Sequence, residues 1–272
     1  MGRIETTSVR AKAMNGVHLF HYGGSQCSQR VRLALEEKGV SWTSQHLDLR
    51  KGEHLQPWYA EINPNLVVPT LVHDGQVVIE SNDIIQYLDD TFAGPALRPE
   101  GADIERWLAR SNACKPAIRV LSFAFLFGRF ARKSSEQLAR LQALDGPDGS
   151  LYKVHRDYVE DGLSDLQIRS AVRDFSTALG VMDRALQGQD WLEGEFSLAD
   201  ISWLCDVHRL AWMHFGLDRY PQVAQWYDRW RSRPSFDAAI VRWEPRVVRA
   251  ALWSKAAANH ALGRGPQSWR SP

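Results

Sequence analysis

The sequence predicts a small α/β domain followed by an all-helical one, and three observations predict it. An apolar run from Val17 to Tyr22 passes through Gly23 and Gly24 into a stretch whose apolar residues, Val31, Leu33, Ala34 and Leu35, recur at helical spacing. Asp74-Gly75 stands between Pro69-Thr70-Leu71-Val72 and Gln76-Val77-Val78-Ile79, the strongest short-range hairpin signal in the chain. Beyond about residue 100 strand signals vanish and long helical periodicities take over. With 272 residues, 44% of them hydrophobic, the chain can bury a core in each of two modest domains.

In order, residues 1–16 carry no periodicity and read as a flexible extension. The α/β domain then occupies 17–93. Its first strand ends near Tyr22, and its first helix runs from about Gln29 to Lys38, stopped by Gly39. Trp42 to Leu49 reads as a second strand, and 53–62 as a short irregular helix ended by Asn63-Pro64. The hairpin follows, then a helix capped by Ser81 with Ile84, Ile85 and Leu88 on one face. Residues 94–100 form a Gly/Pro-bearing linker.

The helical domain spans 101–255, with helices expected at about 102–131, 165–187, 198–215, 221–232 and 235–255. Ser197-Leu198-Ala199-Asp200 has the form of a capping box, and Pro221 suits a first turn. A polar excursion at about 132–164, broken at Asp145-Gly146-Pro147-Asp148-Gly149, interrupts the helices. The tail, 256–272, is expected to fray.

Composition excludes several classes. The 33 Lys plus Arg against 32 Asp plus Glu give no field that argues for nucleic acid or a membrane surface. No apolar run reaches the roughly 20 residues of a membrane span and the N-terminus lacks a signal peptide's apolar centre, so a cytoplasmic location is the default. Cys27, Cys114 and Cys205 are odd in number and far apart, which fits a reducing compartment better than a disulfide framework. His18 and His21 fall on opposite faces of a strand, and no zinc-like spacing exists; no metal is expected.

Chemistry is expected where the first strand hands over to the first helix, at Ser25-Gln26-Cys27-Ser28. The first turn of a helix presents unpaired N–H groups and a partial positive charge to an anion, and a thiolate is such an anion. A thiol of pKa about 8.5 needs about 1.4 kcal/mol of preference for the anion per unit of depression. The helix end supplies roughly 0.3 to 1 kcal/mol and one charge-assisted hydrogen bond roughly 1.5 to 3. Ser25 is placed to donate that bond, or else only to cap the helix. Cys27 either packs under the helix as a small apolar residue or acts as a nucleophile at its first turn.

Several motifs in order and spacing carry a resemblance over residues 17–245. Gly52-Glu53-His54-Leu55-Gln56-Pro57, Ile62-Asn63-Pro64, Val68-Pro69-Thr70-Leu71-Val72, Glu80-Ser81 and Ser197-Leu198-Ala199-Asp200 together resemble the cytosolic glutathione transferase superfamily, with a theta- or delta-like first domain. Ser25-Gln26-Cys27-Ser28 resembles the tetrachlorohydroquinone dehalogenases, and the long excursion resembles those enzymes and the bacterial lignin β-aryl-etherases. The sequence departs from theta and delta at Leu66, where those enzymes tend to place a histidine, and from omega at Ser25, where omega has a redox cysteine.

The resemblance implies a thioredoxin-like N-terminal domain with an all-α C-terminal domain, and glutathione as cosubstrate. Ser25 and Cys27 would be the catalytic candidates. Val68 and a cis Pro69 would pair with the cysteinyl backbone of glutathione, Glu80 with its ammonium, and the Ser81 hydroxyl and N–H with its γ-glutamyl carboxylate. Glu80-Ser81 is otherwise a plain helix cap. His54 and Gln56 are candidates for the glycyl carboxylate, His54 being equally readable as a solvated surface histidine. An aromatic electrophile would meet Tyr22, Phe123, Phe127 and Trp212 between the domains, with Trp107, Phe125, Phe130 and Trp203 as further aromatics and Arg119 and Arg129 as candidate anion holders.

The implied activity is thiolate attack on an aromatic electrophile, with a lignin-type β-aryl ether ranked before a chlorinated hydroquinone. A glutathione-transferase-like interaction protein without turnover is the rival from another class, and a thiol oxidoreductase acting through Cys27 a third. A homodimer, or a heterodimer with a related chain, is expected from the superfamily.

Overall fold

The computed structural model describes residues 2–128, 132–145 and 149–269. The chain divides into two compact units, Met1–Ala93 with Ala131–Gly162, and Gly94–Phe130 with Leu163–Pro272. By its contacts the excursion clusters with the first unit rather than with the helices that flank it in sequence.

In the first unit, β1 (Arg3–Ile4), α1 (Val9–Lys12), β2 (Val17–His21), α2 (Gln26–Lys38), β3 (Thr43–His46), α3 (Pro57–Ala60), β4 (Thr70–His73), β5 (Gln76–Ile79) and α4 (Ser81–Thr91) follow one another. The five strands make one sheet in the order β1-β5-β4-β2-β3, in which β2 and β3 are parallel and the other pairs antiparallel. Leu19 sits opposite Leu71, and Leu71 opposite Val78, so one register carries a row of buried apolar side chains across three strands.

The N-terminal segment is not a loose extension. Arg3 and Ile4 pair with Val78 and Val77, and Ser8 caps α1 by accepting from Ala11 N. A two-residue strand leaves no periodicity to read, which is why the sequence does not announce it. The Asp74-Gly75 turn has φ of 47° and 79°, the left-handed pair that a two-residue hairpin requires. Gly39 ends α2 at φ 66°.

The excursion forms α6 (Ser135–Asp145) and α7 (Ser150–Glu160), after α5 of the second unit (Ile104–Leu121). Ser134 Oγ accepts from Gln137 N, and the Gln137 side chain accepts in return from Ser134 N, a reciprocal cap that starts α6. Leu141 then packs with Leu55 and Leu66, and Leu144, Leu151 and Tyr152 close the same cluster. Leu66 is wholly buried there, which accounts for an apolar residue at the position where the resemblance had led one to look for a histidine. Gly146, Pro147 and Asp148 lie outside the described residues.

The second unit continues with α8 (Asp165–Ala185), α9 (Leu198–Trp212), α10 (Pro221–Arg231), α11 (Pro234–Ala239) and α12 (Arg246–Ala261). A π-helical turn, Ser122–Phe127, extends α5. The helix expected over 235–255 is divided, because Pro245 starts a new helix and cannot continue the old one. The tail is ordered further than expected: Pro266–Trp269 forms a turn, Pro266 is buried, and the Arg169 guanidinium lies 5.3 Å from the centre of the Trp269 ring. Among the described residues no helix is long and apolar enough to cross a membrane.

Candidate functional site

The first unit gathers the predicted residues at the ends of its elements. Ser25 is the N-cap of α2, extended at φ −80° and ψ 120°, and its Oγ accepts from Ser28 N at 3.3 Å. That bond uses one lone pair and leaves the hydroxyl hydrogen able to donate outward. Capping and donation, posed as alternatives by the sequence, are therefore compatible in one side chain. Ser25 and Cys27 are both half-buried, and Cys27 is a free thiol on the first turn.

The turn that carries Ser25 is held from behind by Arg32, a residue that no local pattern in the sequence marks. Arg32 is wholly buried, and its guanidinium donates to Gly23 O at 3.1 Å and to Tyr22 O at 3.4 Å. A third contact, at 3.1 Å, runs to His21 Nδ1, which must accept because a guanidinium only donates. His21 Nε2 then carries the proton toward Ser44 Oγ at 2.8 Å. Burial first, then the Arg32 charge and His46, push the His21 pKa down to about 3, so this imidazole is neutral in the fold. Tyr22 is half-buried, its ring 5.6 Å from that of His46.

The strand entry is built by a second buried network. Val68–Pro69 is cis. Asn63, wholly buried, donates to Val67 O at 3.0 Å and to Thr70 Oγ1 at 2.8 Å, and the Tyr59 hydroxyl donates to Val67 O at 2.7 Å. These bonds fix the carbonyl just before Val68, and they give the Ile62-Asn63-Pro64 motif a physical role. Burial pushes the Tyr59 phenol up, so it stays a neutral donor.

At the end of β5, Glu80 is exposed at φ 64° and ψ 115°, a conformation that costs a non-glycine residue about 1 to 3 kcal/mol. Asn65 Nδ2 donates to its carboxylate at 3.4 Å. Ser81 begins α4, is 2% exposed, and accepts from the buried Arg30 Nη1 at 2.8 Å. Strain beside a helix start, with a buried guanidinium behind it, suits an anionic ligand at Ser81.

His54 and Gln56 stand on the short 3-10 turn Glu53–Leu55 and just after it. Gln56 is half-buried, but His54 is not a solvated surface histidine: it is 5% exposed and covered by the excursion, with Lys133 Nζ 3.4 Å from its Nε2. Lys133 carries no local signal in the sequence, because its approach depends on how the excursion folds back.

In the helical unit, Phe123 and Phe127 are half-buried on the π-helical turn, and the Phe127 ring lies under Arg209 at 5.1 Å. Trp212 is half-buried against His208, ring centres 5.5 Å apart. Phe125 is buried. Trp107 and Trp203 are core residues rather than aromatic surface, the Trp203 indole donating to Trp107 O at 3.1 Å. Arg119 is exposed; Arg129 and Phe130 lie outside the described residues.

Comparison with known proteins matches both halves of the chain. Residues 19–96 match the family model described as glutathione S-transferase, N-terminal domain, and residues 136–229 that described as glutathione S-transferase, C-terminal domain. Glutathione S-transferase TCHQD of Arabidopsis thaliana is 27% identical over 240 residues, covering 84% of this chain and 90% of that protein. Protein LigF of Sphingobium is 25% identical over 232 residues, 80% of this chain and 90% of its own. The crystal structure of the β-etherase LigF from Sphingobium sp. strain SYK-6 superposes with a TM-score of 0.72 and 25% identity, over 82% of this chain and 98% of that one.

Proposed function

The chain belongs to the glutathione S-transferase family, and on that premise we propose that it binds glutathione on the first unit and uses its sulfur, as the thiolate, against an aromatic electrophile. The observation that carries the proposal is Ser25: a hydroxyl that caps α2 through one lone pair and keeps its hydrogen for an anion at the helix start. Cys27, half-buried on the first turn, is an accessory candidate whose own thiol is dispensable for holding glutathione.

In this reading the peptide backbone of glutathione pairs with Val68, presented beside the cis Pro69. Its γ-glutamyl carboxylate takes the Ser81 hydroxyl and N–H, and Glu80 takes its ammonium. Bound glutathione supplies the nucleophilic sulfur; the chain's own residues orient it, and Ser25 holds the developing charge by donating its hydrogen. Tyr22 in one unit, and Phe123, Phe127 and Trp212 in the other, supply half-buried aromatic surface of the kind an aryl substrate needs.

The substrate class favoured is a β-aryl ether, on the strength of the structural likeness to the LigF β-etherase. A chlorinated hydroquinone stands second, on the likeness at Ser25 to Cys27. The deciding experiment incubates the purified protein and glutathione with a model β-aryl ether and with a chlorinated hydroquinone. Release of a phenol together with a glutathione thioether supports the first reading, and chloride release the second. Binding of glutathione with turnover of neither would leave an interaction protein. The chain is further proposed to act as a dimer in the cytoplasm, which sedimentation and cell fractionation test.

A further inference from the structure

The whole-chain balance of charge conceals an uneven distribution. Residues 245–272 hold five of the Lys and Arg residues and none of the Asp and Glu. Most of that stretch is α12, whose outer face is unlike a surface built for water. From Val247 through Ala251, Ser254 and Ala258 to Leu262 at the C-cap, spacings of three and four align exposed residues with no charge among them. Val247 is 82% exposed and Leu262 65%. Arg246 and Arg264, both exposed, stand at the two ends. A helix face turned to solvent ordinarily carries charge, so an apolar one ended by cations is short of a partner.

At the Leu262 end the cations converge. Gly263 stops α12 at φ 66° and the chain turns back, so that Arg169 of α8, Gly263, Arg264, Ser268 and Trp269 line one open cavity of about 310 Å³. Arg169 rests against the Trp269 ring, and among the described residues no carboxylate pairs with either guanidinium, not even Asp165 one turn before Arg169. Leu166, 78% exposed, also stands one turn before Arg169. Two guanidiniums without counter-charge, an indole and two bare leucines thus share one corner of the helical unit.

We propose that this corner docks on an anionic phospholipid surface, with Arg169 and Arg264 on headgroup phosphates and Leu166 and Leu262 at the acyl boundary. A guanidinium matches phosphate with paired N–H donors, and an indole suits the headgroup level. The apolar face of α12 behind Leu262 extends the contact, as in a helix that lies on a membrane. The attachment is peripheral. A second copy of the chain would set these guanidiniums against their own counterparts, whereas a phosphate surface neutralises them. The exposed leucines favour lipid over a soluble phosphate, which needs no apolar contact. None of these residues belongs to the proposed glutathione or aryl site, so the inference is independent of that reading.

The test sediments the full chain with vesicles of phosphatidylcholine alone and of phosphatidylcholine mixed with phosphatidylserine. Wild-type protein is expected to partition onto the mixed vesicles about ten-fold or more strongly than onto the neutral ones, and less so as salt is raised. Arg169→Gln combined with Arg264→Gln is expected to lower that partition by about 10- to 30-fold. Leu262→Ser is expected to lower it by about five- to ten-fold. All three side chains are exposed, so the variants should keep the wild-type thermal midpoint. Binding to neither vesicle, or equally to both, overturns the proposal. So does a double arginine variant that partitions like the wild type, since that places the contact elsewhere. A Leu262→Ser variant that partitions like the wild type also overturns it, because the corner would then hold only an anion.

Discussion

Arg30, wholly buried on the second turn of α2, donates from Nη1 to the Ser81 hydroxyl at 2.8 Å and ties the helix that carries Ser25 to the helix that begins at Ser81. A buried guanidinium demands acceptors, so this bond is structural. It also turns the Ser81 oxygen into an acceptor on its inner side, which leaves its own hydrogen to point at a ligand carboxylate. The stability of the unit and the recognition of an anion meet at one hydroxyl.

Ser81→Ala removes that acceptor from a buried charge. A loss of about 1 to 3 kcal/mol in unfolding free energy is expected, together with a weakened affinity for glutathione. Urea denaturation and calorimetric titration read the two effects separately. Unchanged values in both would show that the Arg30 to Ser81 bond contributes nothing.

Ser25→Ala removes a helix cap, costing about 0.5 to 2 kcal/mol, and also removes the donor to the thiolate. The bound thiol's pKa should rise by about one to two units, as the loss of one charge-assisted bond implies, and turnover near neutral pH should fall by about 10- to 100-fold. Ser25→Thr should retain most of both properties. Thiolate absorbance of the bound peptide against pH is the direct readout. In contrast, Cys27→Ala should bind glutathione as the wild type does.

Stability should fall on mild acidification. His21 and His54 are neutral in the fold, each with a pKa near 3 against an ordinary 6.5, chiefly because they are buried. The unfolded chain therefore takes up protons that the folded chain refuses, and their contribution, complete above about pH 6.5, is lost as the pH falls toward 3. Asp200 runs the other way. Burial pushes its carboxyl up to about 6, so what it contributes is complete below its ordinary 3.8 and is lost as the pH rises through 6. Two imidazoles against one carboxyl leave acid as the destabilising direction. The urea midpoint should drop between about pH 6.5 and pH 4, and less steeply in His54→Gln. A midpoint that is flat or rising on acidification would contradict this balance.

Leu141→Ala should loosen the excursion. Truncating a wholly buried leucine costs about 2 to 5 kcal/mol, and here the cost falls on a small cluster of Leu55, Leu66 and Leu141. Limited proteolysis should cut between residues 132 and 164 faster than in the wild type. An unchanged cleavage rate would mean that the polar contacts, such as Gln137 to Arg50 O, suffice to dock the segment.

The frame of the site was legible because it is made of local signals. Gly39 in the left-handed region, Asp74-Gly75 in a hairpin and Ser197-Asp200 in a reciprocal cap each report their own neighbourhood. What stayed illegible depends on distant partners. Nothing local to Arg30 and Arg32 marks them as buried, because Ser81, Gly23 and His21 meet them only in the fold. Lys133 has meaning only beside His54, and β1 only beside β5. Trp107 and Trp203 read as site or core alike until the burial of both settles it.

Because the first unit is assembled from two stretches of chain, with α5 made in between, it is not a detachable cassette. A polypeptide ending at residue 93 would carry every residue proposed to grip the cysteinyl and γ-glutamyl portions, yet it would show Leu55 and Leu66 bare to water. Gene fusions and shuffled chimaeras that break at the linker therefore inherit an adhesive patch. As the chain emerges from the ribosome, the unit must wait for the excursion before its surface is finished.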